Sequence, residues 1–162
     1  MTAPTIRLAD FSDDADLEAV IELTAEFKAI GDESLSWPQR TGLAHQLRHH
    51  AAFGLLAFKG PTAVGMLVAQ TNISSFSGLP SCNIHDLYLV ADARGAGLGR
   101  LMMASGADHA RAMGFGRLTL EVGADNLRAL DLYRGLGFDV PEASAAGEAS
   151  GGATYFVTCP LD

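Results

Sequence analysis

The run Arg94-Gly95-Ala96-Gly97-Leu98-Gly99-Arg100 has the residue types and spacing of an anion cradle. It lies between an apolar, strand-like stretch, Ile84 to Val90, and a helix-like stretch, Leu101 to Met113. Glycine carries no Cβ, so such a backbone can take left-handed dihedrals and come close to a ligand. The unpaired N–H groups of the helix's first turn, with the macrodipole behind them, favour negative charge, and phosphate is the natural guest. Three spellings compete for this loop. A P-loop needs Gly-Lys followed by Ser or Thr, and no lysine occurs after Lys59. A dinucleotide fingerprint counted from Gly95 puts its third glycine at position 100, where Arg100 stands, although Glu121, about twenty residues on, could serve as its acidic residue. The third spelling, Arg-x-x-Gly-x-Gly, is met by Arg94, Gly97 and Gly99.

Groups able to move protons flank the cradle. Tyr133 lies seven residues after Asn126, two helical turns, so both share one helix face. Glu121 interrupts Leu118-Thr119-Leu120-Glu121-Val122, where strand alternation places it opposite the core-facing residues. His85 and Asp86 sit inside the apolar run before the cradle, and imidazole titrates near neutrality. His45 and His49 share a helix face, but no carboxylate or cysteine completes a ligand set, so no metal is expected.

The loop, the run Ile84 to Val90, and Leu120-Glu121-Val122 with Asn126, Ala129, Leu132, Tyr133 and Gly137-Phe138 resemble, over about residues 84–138, the GNAT-type N-acetyltransferases. The resemblance implies an α/β (α+β) domain: a mixed, mostly antiparallel seven-strand sheet flanked by about four helices, with strands four and five splayed to hold acetyl-CoA. It implies that Arg94, Gly95, Ala96, Gly97, Leu98, Gly99 and Arg100 take the pyrophosphate. Leu87, Tyr88 and Leu89 would lie along the pantetheine arm, with a backbone N–H near Leu89 for the oxyanion. In the family a tyrosine at the place of Tyr133 protonates the coenzyme A sulfur, and the asparagine matching Asn126 bonds the cofactor arm. In relatives that acetylate protein N-termini, a glutamate in the Leu-Glu-Val context accepts the amine proton, which makes Glu121 the first choice of base. His85 and Asp86 are its rivals; the polyamine branch usually has a glutamate where His85 stands.

The same likeness assigns the acceptor to the first helix and the segment after it, where Glu26, Asp32 and Glu33, together with Asp86 on strand four, could receive a cationic amine. A polyamine, an amino acid, an aminoglycoside and a peptide N-terminus all remain open as acceptors. The alternative is a non-catalytic acyl-CoA sensor that keeps the cradle without the chemistry. Relatives are often homodimers, so a homodimer is the expectation.

These groups need a scaffold, and the sequence spells one. Thr5 to Ala9 reads as a strand; Ser12 or Asp13 can cap a helix with Leu17, Val20, Ile21 and Phe27 at helical spacing, ending near Gly31. Ser36-Trp37-Pro38 opens a second helix with Leu43 and Leu47 inward. Phe53 to Phe58 and Ala63 to Gln70 form a hairpin around Lys59-Gly60-Pro61. The loop Thr71 to Ser81 leads to strand four, and Gly114 stops the helix after the cradle. Arg117 to Val122 is strand five, Asp125 caps a helix reaching about Arg134, and Phe138 to Val140 is strand six. Pro141 to Gly152 is poor in large apolar residues and reads as a mobile hairpin loop before the closing strand, Thr154 to Cys159.

With 162 residues, 48% of them hydrophobic and 19% charged, the chain suits one globular domain over residues 1–162. A net charge of −8 argues against nucleic acid and would attract a cationic substrate. No apolar run reaches membrane-spanning length and the start carries no basic-then-apolar signal, so the expected place is the cytoplasm, with Cys82 and Cys159 reduced.

Overall fold

Six strands and four helices follow one another in the computed structural model, which describes residues 3–142 and 152–162. In chain order they are β1 (Thr5–Leu8), α1 (Asp14–Ala29), α2 (Trp37–His50), β2 (Ala51–Lys59), β3 (Thr62–Asn72), β4 (Ser81–Leu89), α3 (Leu98–Ala112), β5 (Arg117–Gly123), α4 (Leu127–Arg134) and β6 (Thr154–Pro160). The strands lie side by side in sequence order, all antiparallel except the β4–β5 pair.

Local signals set the helix ends. The Asp13 carboxylate accepts the Ala15 N–H at 3.1 Å, and Asp14 and Asp16 follow in the first turn, where the dipole welcomes negative charge. Before α2 the Gln39 side chain accepts the Ser36 N–H at 2.9 Å, with Pro38 in the first turn. Gly114, at φ 86°, ends α3 in the left-handed conformation that glycine adopts without strain.

Both faces of the sheet are covered, which is why β2 and β3 read as unbroken apolar runs rather than alternating ones. Leu55, Leu67, Ile84, Leu118, Leu120 and Val157 pack with Met102 and Met103 of α3 and Leu130 of α4. On the other face Leu56, Met66, Val68 and Tyr88 meet Leu17, Val20 and Leu23 of α1 and Leu47 of α2.

The sheet has one discontinuity. Opposite β3 the register passes from Val68↔Asp86 to Ala69↔Ile84, leaving His85 as the extra residue of a bulge on β4. β5 pairs with β4 only from Ser81↔Arg117 to Asn83↔Thr119. Beyond that rung β4 continues to Leu89 and β5 to Gly123 without pairing, so the strands part. At the last rung the buried Asn83 side chain donates to the Thr119 hydroxyl at 3.1 Å.

Two expectations need correction. The sheet has six strands among the described residues, not seven, because Phe138 to Val140 forms no strand. Asp139 N–H does reach the Thr158 carbonyl at 3.0 Å, but the Thr158 N–H is taken by the Asp139 carboxylate, so a side chain stands in for the second backbone rung. The cap of α4 is Asn126 rather than Asp125: its side-chain oxygen accepts the Ala129 N–H at 3.2 Å. Residues 143–151 of the expected loop lie outside the described residues. No helix among the described residues is long and apolar enough to cross a membrane.

Candidate active site

The parting of β4 from β5 opens a cleft of about 800 Å³, with strand edges as its sides and the glycine loop and α4 at its end. Of the loop residues, Arg94, Gly95, Gly97, Leu98, Gly99 and Arg100 line it, and Ala96 does not. Gly95 and Gly97 have φ of 85° and 81°, the left-handed region where a Cβ is strained. The first intrahelical bond of α3 runs from Leu101 N–H to the Gly97 carbonyl at 3.1 Å, so the three N–H groups before it have no helical partner. A Cβ on Gly99 would lie 3.6 Å from Leu89 and 3.7 Å from Leu132, both lining the cleft. The fold would tolerate that atom, but it would fill the cradle from which those amides point.

The flanking arginines are anchored. Arg94 Nε donates to the Leu89 carbonyl at 2.8 Å, with its guanidinium 5.5 Å from the centre of the Tyr88 ring. Arg100 Nη1 donates to the Gly135 carbonyl at 2.9 Å, bridging the cradle helix to the end of α4. Each keeps further N–H groups for an anion.

Leu87 and Leu89 pack toward α3 and α4, whereas Tyr88 turns to the other face, stacked on Phe27 at 5.3 Å with its hydroxyl 3.5 Å from the Glu26 carboxylate. The bulge at His85 makes that switch: Ile84, Leu87 and Leu89 share a face at a spacing that an unbroken strand would not give. Asp86 pairs with Val68 and therefore falls on the α1/α2 face. Tyr133, buried and lining the cleft, is packed against Phe138, and burial pushes its phenol up to about 12. Asn126 lines the cleft too, with its oxygen engaged at the cap and its amide N–H groups left over. Glu121 is exposed, on the face opposite Leu120 and Val122.

A second cavity, of about 750 Å³, lies between α1, α2 and the sheet. Four residues line both cavities: Phe27, Ile30, His85 and Asp86. Burial raises the Asp86 carboxyl above the usual range, with the His85 charge opposing. Glu33 lines the second cavity but is paired with Lys28 at 2.9 Å. Glu26 lines neither, and Asp32 stands outside both. Sequence reasoning treated Phe27 as core, yet it is 40% exposed at the junction; an aromatic on the last turn of α1, facing the acceptor segment, was the available signal.

The model of the acetyltransferase (GNAT) family matches residues 17–138. The chain belongs to the GNAT family. No curated protein sequence matches it. Among solved structures, the NatC complex bound to Gag peptide and CoA contains a chain with 17% identity and a TM-score of 0.73, covering 99% of this chain and 100% of that one. An aminoglycoside acetyltransferase from an uncultured soil metagenomic sample, in complex with sisomicin, has 21% identity and a TM-score of 0.70 over 82% and 86%. The PaiA N-acetyltransferase of Thermoplasma acidophilum, in complex with coenzyme A, has 16% identity and a TM-score of 0.65 over 98% and 99%. This GNAT acyltransferase thus shares the fold of proteins solved with a peptide, an aminoglycoside and coenzyme A.

Proposed function

We propose that this acetyltransferase moves the acetyl group of acetyl-CoA directly to a primary amine in a ternary complex. The observation that carries the reading is the meeting of two cavities at His85 and Asp86. A thioester in one and an amine in the other can touch there without a covalent enzyme intermediate.

The residues fit the cofactor: unpaired loop amides and the α3 dipole would hold the pyrophosphate, with Arg94 and Arg100 supplying additional donors. β4 beyond Asn83 has no β5 partner, so its backbone can pair with the pantetheine arm, and an N–H near Leu89 can bond the developing oxyanion. Acetyl-CoA supplies the acyl group and a thiol leaving group.

An amine arrives protonated and must lose its proton before its lone pair attacks the acetyl carbon. Asp86 and His85 line both cavities and can accept that proton, and the raised Asp86 carboxyl is a better base than an ordinary aspartate. Glu121 faces the cleft from β5 and can take the proton through water. As the C–S bond breaks, the leaving sulfur takes the electron pair. Tyr133 keeps its proton up to about pH 12 and offers it to that sulfur. An ordinary thiol titrates near ~8.5, so full transfer from so weak an acid is uphill, and a hydrogen bond to the thiolate is the larger part of the help.

Thiol release with Glu121→Gln, His85→Ala and Asp86→Asn tests the assignment. Asp86→Asn is expected to lose about 100-fold or more in kcat/KM, within the range of general-base catalysis. A full rate in Asp86→Asn alongside a dead Glu121→Gln would return the role to Glu121. A protein that binds coenzyme A and releases no thiol with any amine would be the acyl-CoA sensor instead.

A further inference from the structure

Gly42 stands in the interior of α2, where glycine is among the least favourable residues, and its φ is not left-handed. Neither the helix nor its packing requires it: a Cβ there would meet nothing within 4 Å. It lines the second cavity on the helix face that carries Gln39, Leu43 and Gln46. The missing side chain leaves space in the cavity, and nothing else in the surroundings accounts for it.

The charges around that space are unequal to a polycation. Glu33 is paired with Lys28, which also lines the cavity and brings a positive charge that repels a second cation. Glu26 points elsewhere, toward the Tyr88 hydroxyl. That leaves Asp86 as the unpaired carboxylate, at the end that opens on the thioester cleft. Beyond it the wall carries Val20, Leu35, Leu43 and Leu47, with the uncharged amides of Gln39 and Gln46 and the His50 ring between them.

Resting on the acetyl-transfer reading above, we infer that the acceptor carries one cationic amine on an apolar body, and that Gly42 sets how large that body can be. The amine lies at Asp86 and the apolar part runs along α2 past Gly42. Polyamines and aminoglycosides, with several spaced charges, are disfavoured.

The test is thiol release from acetyl-CoA with ethylamine, butylamine, hexylamine, 2-phenylethylamine, spermidine and kanamycin, for the wild type and Gly42→Leu, with melting of both proteins in coenzyme A. In the wild type kcat/KM climbs from ethylamine to hexylamine, by at most about fourfold per methylene, which is about 0.8 kcal/mol per buried CH₂. Spermidine and kanamycin fall at least tenfold below hexylamine. Gly42→Leu, which replaces a helix breaker with a helix former, melts no lower than wild type, keeps its coenzyme A shift and its ethylamine rate, and loses the gain for hexylamine and 2-phenylethylamine. A flat alkylamine series, spermidine or kanamycin outrunning hexylamine, or a Gly42→Leu protein that keeps the hexylamine gain would each overturn the inference while leaving acetyl transfer standing. Absence of thiol release with every amine removes both readings.

Discussion

At the scale of single residues, Tyr133 and Asp86 have opposite titration problems. Tyr133→Phe removes a proton donor while keeping the ring that packs on Phe138, so folding should survive. Turnover is expected to fall roughly 10- to 100-fold with little change in KM for acetyl-CoA, since donation to the leaving sulfur belongs to the transition state. Unchanged turnover would remove Tyr133 from the mechanism. For Asp86 the folded-state carboxyl is raised, so the native protein binds its proton more tightly than the unfolded chain does. Its contribution to stability is full at low pH and is lost as pH rises from the unfolded carboxylate range through the folded value. Asp86→Asn should therefore melt above wild type at pH 8 by up to a few degrees, with the gap closing toward pH 4; a constant gap would mean that charge is not its cause. The position of Asp86 was hidden in the sequence. Reading strand four with a regular alternation puts Asp86 with Ile84 on the α3/α4 face, and only the bulge at His85 turns it to the acceptor side. Glu26 and Glu33 looked equally suited to a cation because ion pairing and hydrogen bonding across elements leave no local pattern.

At the scale of elements, the cradle depends on two left-handed glycines and a helix start. Gly97→Ala forces a Cβ into φ 81°, costing about 1–2 kcal/mol of folding stability. In a chain of this length that is about 2–8 °C in the melting midpoint. The same change is expected to reduce the coenzyme A-induced rise in midpoint, because the Leu98 and Gly99 amides would be re-aimed. Gly99→Ala should keep the midpoint and lose only the ligand shift, since its Cβ fits the fold and intrudes on the cleft. Equal effects of the two substitutions on folding would contradict this division. The cradle, its strand and its helix were legible because they depend on short-range chemistry: glycine placement, apolar runs and caps. The seventh strand was not, because Phe138 to Val140 has the right composition and fails through Asp139, whose carboxylate competes for the Thr158 amide. The cap of α4 was misplaced by one residue for a similar reason: Asp125 and Asn126 are both good caps, and the backbone geometry decides.

Over the whole molecule, ligand binding and fold are linked by mass action. Coenzyme A at about 100 times its dissociation constant stabilises the native state by about 2.7 kcal/mol, or about 5–11 °C here, whereas NAD should give no shift. A shift with NAD alone would reject the cradle reading. The net charge of −8 should draw cationic acceptors toward the protein, so KM for a small amine is expected to rise with ionic strength more than KM for acetyl-CoA falls or rises with it. The three rungs that join β4 to β5 have a mechanical consequence. Among the described residues they are the only strand ladder between a four-strand leaf, β1 to β4, and a two-strand leaf, β5 and β6, extended by one bond from the Gly116 N–H to the Pro80 carbonyl, so the sheet resembles a book with a short spine. The core residues under α3 and α4 glue the covers together, but the spine itself is bound by three residue pairs and the Asn83–Thr119 stitch. A cofactor pressed between the open pages would touch both covers and hold the book to one angle. In hydrogen exchange, the amides along Ser81 to Asn83 and Arg117 to Thr119 should become slower when coenzyme A is added, although none of them lies in the cradle.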